Sequence, residues 1–369
     1  MAQNELCLKY IRIFIVELAY WVISISMVFI NKFVLSDSLL GGELTVFITM
    51  FQCLFALAIL VTLNFVTKNC IDPCVSETTN DQIHSKVSLT DLIHVSLPPV
   101  IKFSVFRRVF PVSLLYVGML VMNNFCLKYV GVAFYFVCRS LTTVFNVIFT
   151  YYILNEPTSR GALLCCVLIV VGFVGGIDQE NVMGDISVLG VIFGVASSLF
   201  TSLFSIYTKK TLASLDKNIW ALTLYNNINA ISLFIPLIIL HGDLGVLLSI
   251  KSNIVSDPTF WSMLSVSGIM AFLISTVTNA SIKYTSPLTH NISGTAKACF
   301  QTVIAVLYYH DHKTLLWWTS NLTILFASAA YSRIKQKEME QRMKSSPSEP
   351  SIASGSTDSI KLLVDKNQK

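Results

Sequence analysis

Charged residues are scarce in this chain, and their scarcity excludes a soluble globular protein. Of the 369 residues 13% are charged, about half the usual fraction, whereas 54% are hydrophobic and the mean hydropathy is +0.66. Apolar runs of roughly 20 residues, the length that a helix needs to cross a bilayer, recur along the chain. These runs are continuous rather than alternating, which excludes a transmembrane barrel. The sequence therefore predicts an all-α polytopic membrane protein.

The chain also lacks the residue patterns that catalysis and metal binding require. It has no Ser-His-acid or Cys-His-acid set and no Walker-type glycine loop, and the spacing of Cys70 and Cys74 from the downstream histidines fits no zinc template. We therefore expect no enzymatic activity, no cofactor or metal, and no nucleic-acid partner. Most of the other cysteines lie inside apolar runs, where a free thiol acts as a small hydrophobic side chain: Cys53, Cys126, Cys138, Cys165, Cys166 and Cys299.

Ten apolar segments predict ten transmembrane helices, with basic connections on one side of the membrane and acidic connections on the other. By the positive-inside rule, both termini are predicted to be cytosolic. The first segment is too long for the h-region of a cleavable signal peptide, so we expect it to remain as the first span. The spans are predicted at 12–35, 45–67, 109–130, 132–154, 160–177, 186–208, 219–241, 259–284, 286–309 and 314–334.

An internal repeat divides the ten spans into two halves. The run LKY at 127–129 aligns with IKY at 282–284, an offset of 155 residues, and a weaker match sets Gln52 opposite Asn226. Because each half has an odd number of spans, the second half must insert upside down relative to the first, as in many transporters. The predicted organisation is a cytosolic N-terminus at 1–11, five-helix repeats at 12–177 and 186–334, and a disordered cytosolic tail at 335–369.

The repeat brings two polar stripes into phase, one on span four and one on span nine. Each stripe has the spacing i, i+4, i+7 and i+11, so its members share one helical face. Chance polar residues would not keep this phase in both copies, and the stripes therefore predict two helices that line one polar cavity. The offset pairs Tyr135 with His290, Arg139 with Gly294, Thr142 with Lys297, and Asn146 with Gln301.

Two cations in these stripes predict an anionic ligand. Lys297 lies roughly 16 Å into its span and Arg139 roughly 10 Å from the nearer end, while the spans contain almost no acidic residue except Glu17. Phosphate is a suitable ligand, because arginine binds its oxygens bidentately and lysine supplies a point charge. Interfacial snorkelling is the alternative for Arg139. Lys32 is either a third ligand cation or an ordinary boundary lysine.

Amide side chains in span seven favour recognition of a nucleobase. Asn226 and Asn227 each present a donor and an acceptor, which suits the edge of a base, and Tyr225 can stack on its ring. The alternative is that these amides hydrogen-bond membrane helices to one another. Asn123 and Asn124 in span three leave the same two alternatives open.

Several runs carry a resemblance to a known family: LKYVGVAFY at 127–135, RSLTTVFNV at 139–147, SPLTHNISGTAKAC at 286–299 and LWWTSN at 316–321. With Tyr-Asn-Asn in span seven and Gly-x-x-Lys in span nine, the chain resembles the nucleotide-sugar transporters of the drug/metabolite transporter superfamily. The resemblance covers most of the chain outside the tails and the 68–108 loop. Within that family the runs are most similar to the Golgi carriers of GDP-fucose.

The resemblance implies an antiporter in the Golgi membrane, surrounded by lipid, that imports GDP-fucose in exchange for GMP by alternating access. Leu224 departs from the Phe that begins the GDP-sugar motif. The segment from Gly294 to Lys297 is one residue shorter than the motif of the GDP-mannose branch, which favours the fucose branch. The resemblance implies nucleotide contacts from Tyr225, Asn226, Asn227, Gly294, Thr295 and Lys297, and phosphate or sugar contacts from Lys32, Asn124, Tyr135, Arg139 and His290.

Three alternatives stay open at this point. The substrate could be another nucleotide sugar, GDP-mannose, or a sugar phosphate. The membrane could be that of the endoplasmic reticulum, because no retention signal is legible in the C-terminal residues. The protein could act as a monomer or as a homodimer.

Overall fold

The protein is helical throughout the part of the chain that its computed structural model describes. The described residues are 2–36, 44–67, 69, 97–98, 102–155, 158–183, 187–215, 218–249, 257–284, 287–310 and 313–345. The helices in these ranges are α1 (Ala2–Ser36), α2 (Thr45–Val66), α3 (Phe103–Tyr129), α4 (Val132–Leu154), α5 (Arg160–Met183), α6 (Val188–Ala213), α7 (Ile219–His241), α8 (Asp243–Leu248), α9 (Pro258–Tyr284), α10 (Pro287–Tyr309) and α11 (Leu315–Ser345).

Eight of the described helices, α1 to α7 and α9, are long and apolar enough to cross a membrane. The all-α membrane class predicted from the sequence is therefore confirmed, and each of the ten long helices overlaps a predicted span. The short helix α8 was not predicted. That α10 and α11 also cross the bilayer, giving ten spans in two inverted repeats, stays a prediction.

Helix ends are set by local hydrogen bonds and by one glycine. The Ser187 side chain accepts from the Gly190 backbone N–H (3.2 Å) and caps the start of α6, and the Asn218 side chain accepts from the Ala221 N–H (3.0 Å) at the start of α7. Gly242 lies between α7 and α8 with φ of 89°, a left-handed conformation that ends α7 without steric cost.

The packing of the helices produces a central space rather than a solid bundle. α3 packs along α6, α1 along α9 and α5 along α11, while α2 lies between α7 and α9. The approach of α4 to α6 depends on small residues, because a Cβ added at Gly194 would lie 2.7 Å from the Cys138 side chain. By contrast, the contact between α1 and α10 uses long side chains: Trp21 Nε1 donates to Ser293 Oγ at 2.8 Å.

One end of the bundle, which we call the closed face, is sealed by polar contacts between helix ends. Lys32 Nζ, near the end of α1, donates to the carbonyl oxygens of Leu127 (2.8 Å) and Val130 (2.7 Å) where α3 ends. Asp243 accepts from the Phe47 backbone N–H (2.8 Å) in the first turn of α2. The opposite end, where α1 begins and α11 ends, we call the open face. A buried apolar layer fills the closed face: Val34, Leu35, Leu44, Ile48, Val132, Phe260, Leu264 and Trp317.

The predicted disorder of the tail is wrong for residues 335–345, which continue α11 to Ser345. This segment is rich in Lys, Gln, Glu, Met and Arg, which favour helix, and Lys335 pairs with Glu338 one turn later at 3.3 Å. The predicted span stops at residue 334 because the hydropathy falls there, but a fall in hydropathy does not end a helix. The rest of the predicted tail, and most of the 68–108 loop, lie outside the described residues.

A buried ion pair at the closed face should contribute strongly to stability. Lys313 Nζ lies 3.0 and 3.1 Å from the two carboxylate oxygens of Glu180, and both side chains are 5% exposed. Lys313→Ala leaves the Glu180 carboxylate buried and unpaired, so it should lower the free energy of unfolding by about 3–5 kcal/mol. Thermal unfolding of the detergent-purified protein, followed by circular dichroism, measures the loss.

Lys335→Ala is the matched control for this prediction. It removes the other described lysine–glutamate pair, whose side chains are 25% and 21% exposed, and should cost less than about 1 kcal/mol. Equal shifts of the unfolding midpoint in the two variants would contradict the assigned difference between the pairs.

Candidate functional site

A cavity of about 540 Å³ lies inside the bundle, and among the described residues its lining extends further towards one end of the helices than towards the other. Near the open face its lining reaches Trp220, the second residue of α7, and Thr278 in the last two turns of α9. At the other end the lining stops at Asn31, Leu127 and Tyr135, below the apolar layer of the closed face. This volume falls within the range of small-molecule binding sites. The shape of this lining is that of a ligand site open to one side rather than that of a channel.

Lys297 reaches the cavity from α10, as the sequence predicted for this stripe. Its Nζ donates to Ser24 Oγ on α1 and lies 4.6 Å from the centre of the Tyr20 ring. Gln301, one turn further along α10, also lines the cavity, and its amide donates to the Ser24 carbonyl oxygen at 3.4 Å. A neutral hydroxyl and an aromatic ring thus contact the ammonium group.

Arg139 reaches the same cavity from α4 and is held by Asn123 of α3. Its Nη1 donates to Asn123 Oδ1 at 2.9 Å and lies 3.3 Å from the Tyr135 hydroxyl. The Tyr135 hydroxyl (2.8 Å) and Ser197 Oγ (3.2 Å) donate to the same amide oxygen. Three donors therefore converge on Asn123, which fixes the direction of the guanidinium group.

Within the described residues, neither Lys297 nor Arg139 forms an ion pair with a carboxylate. Glu17, the acidic residue nearest in sequence to this part of α1, accepts instead from Ser293 Oγ at 2.5 Å. Two cations in a poorly solvated cavity repel each other and favour an anion that bridges them. The geometry suits a phosphate or diphosphate group.

The amides of α7 divide between the cavity and the helix interface. Tyr225 is 2% exposed, and its hydroxyl accepts from the Lys102 backbone N–H at 2.9 Å, while Asn226 accepts from Ser113 Oγ at 2.7 Å. Neither residue lines the cavity. Asn227 does line it, and its Oδ1 is buried without a hydrogen-bond partner, whereas its Nδ2 donates to the Thr223 carbonyl at 2.9 Å. Asn227 is thus the residue of this motif that borders the cavity, with its Oδ1 itself buried.

The remaining predicted site residues lie in different surroundings. Asn124 lines the cavity and donates to Thr49 Oγ1 at 2.8 Å. Lys32 binds backbone carbonyls at the closed face and does not line the cavity. A Cβ added at Gly294 would be in ordinary contact with the Tyr20 hydroxyl of α1 at 3.8 Å, and Gly294 does not line the cavity. The side chains of His290 and Thr295 lie outside the described part of the structure.

The two polar stripes contribute unequally to the lining. Tyr135, Arg139, Lys297 and Gln301 all line the cavity. Asn146 instead accepts from Ser202 and Ser205 of α6, at 2.8 and 3.2 Å, so the far half of the α4 stripe serves helix packing.

Sequence reasoning missed several polar groups of the cavity. Asn123 was noted but not assigned, and Ser24, Asn31 and Gln52 were not identified, although all four line the cavity. The weak repeat match that sets Gln52 opposite Asn226 was a usable signal for Gln52. The others carry no signal in a single sequence, because isolated Ser and Asn residues are common at membrane helix interfaces.

Comparisons with known proteins agree with the sequence resemblance. The chain is 44% identical over 355 residues to GDP-fucose transporter 1 of Mus musculus, covering 96% of this chain and 91% of that protein. It is also 44% identical over 337 residues to the Golgi GDP-fucose transporter of Drosophila melanogaster, covering 91% and 94%. A more distant relative, the GDP-mannose transporter GONST1 of Arabidopsis thaliana, is 23% identical over 331 residues, covering 87% and 88%.

The family model that matches describes the Triose-phosphate Transporter family, and it spans residues 11–332. This range includes every helix that lines the cavity. The chain belongs to the Triose-phosphate Transporter family.

Proposed function

We propose that this protein is an antiporter of the Golgi membrane that carries GDP-fucose into the lumen and returns GMP to the cytosol. The observation that carries the proposal is a one-sided cavity whose two cations have no carboxylate partner in the described residues. The choice of GDP-fucose rests on the relatives, since two GDP-fucose transporters are 44% identical to this chain and the GDP-mannose transporter is 23% identical.

Lys297 and Arg139 bind the phosphates of either exchanged nucleotide. GDP-fucose carries about two negative charges, and GMP carries about two once its second phosphate proton is lost, near pH 6. The same two cations therefore neutralise both ligands. The exchange moves no net charge and does not work against a membrane potential.

Asn227 recognises the guanine base near the open face. Its Oδ1 is buried without a hydrogen-bond partner, and a turn of the side chain towards the cavity would let it accept from the N–H donors of guanine. The Trp220 ring in the same lining is available for stacking. Tyr225 and Asn226 act indirectly, since they hold α7 against α3 and so fix the direction of Asn227.

The open face is cytosolic, and both termini with it. Basic side chains at this face, Lys102, Arg107, Arg108 and Arg160, support the assignment by the positive-inside rule. The cavity described above is then accessible from the cytosol, where GDP-fucose binds. Transport requires that the closed face separate while the open face closes.

Two five-helix repeats, at 12–177 and 186–334, supply the moving halves. In the repeat, α1–α5 correspond in order to α6, α7, α9, α10 and α11. The close pair α3–α6 in one half then has the close pair α1–α9 as its counterpart, which supports the repeat. The α4–α6 contact, made through small residues, then corresponds to the α1–α10 contact, made through long side chains. The α4–α6 contact is therefore closer than the α1–α10 contact. In the opposite state of an alternating carrier, α1–α10 would be the closer of the two.

Exchange in proteoliposomes tests the proposal. Vesicles that contain the purified protein and internal GMP should take up labelled GDP-fucose several-fold faster than vesicles without internal nucleotide, because the empty carrier reorients slowly. External GMP should compete, while inorganic phosphate and sugar phosphates should not. Uptake that is independent of internal GMP, or stronger for GDP-mannose or a UDP-sugar, would contradict the proposal.

Lys297→Ala should reduce GDP-fucose uptake to the level of protein-free vesicles, because one of the two cations that balance the phosphates is lost. The variant should still purify as a single species, since Lys297 bonds to Ser24 without a charged partner. Lys335→Ala, a lysine of α11 outside the cavity lining, is the control and should transport normally. Retained transport in Lys297→Ala would remove this residue from the site.

Asn123→Asp should weaken GMP binding about ten- to a hundredfold while the protein remains folded. The substitution preserves shape but sets a carboxylate 2.9 Å from Arg139, where it competes with phosphate for the guanidinium group. Ser197→Ala, which removes only one hydrogen bond to Asn123, should bind GMP within about twofold of the wild type. Isothermal titration measures both affinities, and unchanged binding by the Asp variant would exclude Arg139 as a phosphate ligand.

A further inference from the structure

A buried polar cluster at the closed end of the cavity has no role in the function proposed above. Asn31, Gln52 and Ser267 come from α1, α2 and α9 and are 8%, 5% and 0% exposed. Gln52 Nε2 donates to Asn31 Oδ1 (3.0 Å) and to Ser267 Oγ (2.5 Å), and Ser267 Oγ donates to Asn31 Oδ1 (2.9 Å). The three side chains thus form one hydrogen-bonded triangle that joins three helices.

The triangle uses only part of its hydrogen-bonding capacity. Within the described part of the chain, the amide nitrogen of Asn31 and Oε1 of Gln52 form no hydrogen bond. Neither atom is completely buried. Asn31 and Gln52 line the cavity, whereas Ser267 does not. Groups that only join membrane helices would satisfy one another, because an unused polar atom in the membrane interior is costly. The two unused atoms are therefore a donor and an acceptor presented to the cavity.

The position of the triangle along the bundle indicates which part of a ligand it meets. Measured from the open face along the helices, Asn227 lies roughly 12 Å up α7 and Lys297 roughly 15 Å up α10, while Arg139 lies roughly 22 Å up α4 and Gln52 roughly 21 Å up α2. A nucleotide sugar has its groups in the same order, with the base first, the phosphates next and the sugar last. With the base at Asn227 and the phosphates between Lys297 and Arg139, the sugar lies at the closed end of the cavity, which Asn31 and Gln52 border.

We infer that Asn31 and Gln52 form the sugar subsite of the cavity, with Asn31 donating to, and Gln52 accepting from, hydroxyl groups of the transported hexose. A sugar hydroxyl is both a donor and an acceptor, so one amide of each polarity matches it. The inference rests on the proposed function, because it requires a nucleotide sugar in the cavity. GDP and GMP lack the hexose and leave the subsite to water.

Gln52→Met tests the subsite, because methionine has a similar volume and no amide. The full-length variant in detergent should bind GDP-fucose about tenfold more weakly than the wild type does, since a sugar hydroxyl loses its acceptor. Its affinity for GDP, which differs from GDP-fucose only by the sugar, should stay within about twofold. Ligand-induced shifts of the thermal unfolding midpoint, titrated for both ligands, give the two affinities.

Ser267→Ala is the matched control, because it removes one member of the triangle without removing an atom from the cavity lining. It should bind both ligands within about twofold of the wild type. Equal weakening of GDP-fucose and GDP in Gln52→Met, or no change in either, would overturn the sugar subsite. If Gln52→Met does not purify as a folded protein, Gln52→Asn, whose amide is one methylene shorter, makes the same prediction.

The proposed function and the subsite can fail separately in this experiment. If GMP, GDP and GDP-fucose all leave the unfolding of the wild-type protein unchanged, the proposed function is wrong and the subsite is wrong with it. If they stabilise the wild type but Gln52→Met shows no loss selective for the sugar, only the subsite is wrong.

Discussion

Neutral groups hold the two cations of the cavity, and the electrostatic character of the site depends on the absence of a carboxylate partner among the described residues. Asn123, Tyr135 and Ser24 position Arg139 and Lys297 without neutralising them. A carboxylate in the same place would hold the cations more firmly but would remove the charge that attracts a phosphate. Burying uncompensated charge is costly, and the anionic ligand proposed above would offset that cost.

Amide and hydroxyl side chains either join neighbouring helices or border the cavity, and the helix face on which a side chain lies decides which. Asn226 and Asn146 join α7 to α3 and α4 to α6, whereas Asn227 and Asn123 border the cavity. The joining contacts make the helices rigid, and rigidity gives the cavity residues a fixed direction. Without the contacts of Tyr225 and Asn226, the unpartnered oxygen of Asn227 would have no defined position.

The one-sided cavity follows from an unequal distribution of contacts between the two ends. At the closed face, Lys32 and Asp243 bond to the ends of neighbouring helices over a buried apolar layer. At the open face the lining extends to the first turn of α7. The alternating access proposed above would require these two arrangements to exchange.

Much of the fold was predictable from the sequence, because bilayer thickness sets the length of an apolar helix and composition reports it directly. The phase of the stripes also predicted that Arg139 and Lys297 share a cavity, and both residues line it, since a cation far from any carboxylate is conspicuous in an apolar run. Residues 335–345 were misassigned because hydropathy reports burial in a membrane and not helix formation. The continuation of α11 beyond residue 334 is supported by local pairs such as Lys335–Glu338, which composition does not reveal.

What only the tertiary structure decided is the direction of each polar side chain. Asn226 and Asn227 are adjacent in sequence but point about 100° apart around α7, and the neighbouring helices determine which one meets the cavity. The triangle of Asn31, Gln52 and Ser267 joins residues up to 236 positions apart. The sequence by itself determined which segments are apolar enough for a membrane and which polar residues they carry. Helix packing determined which polar atoms of those residues face the cavity.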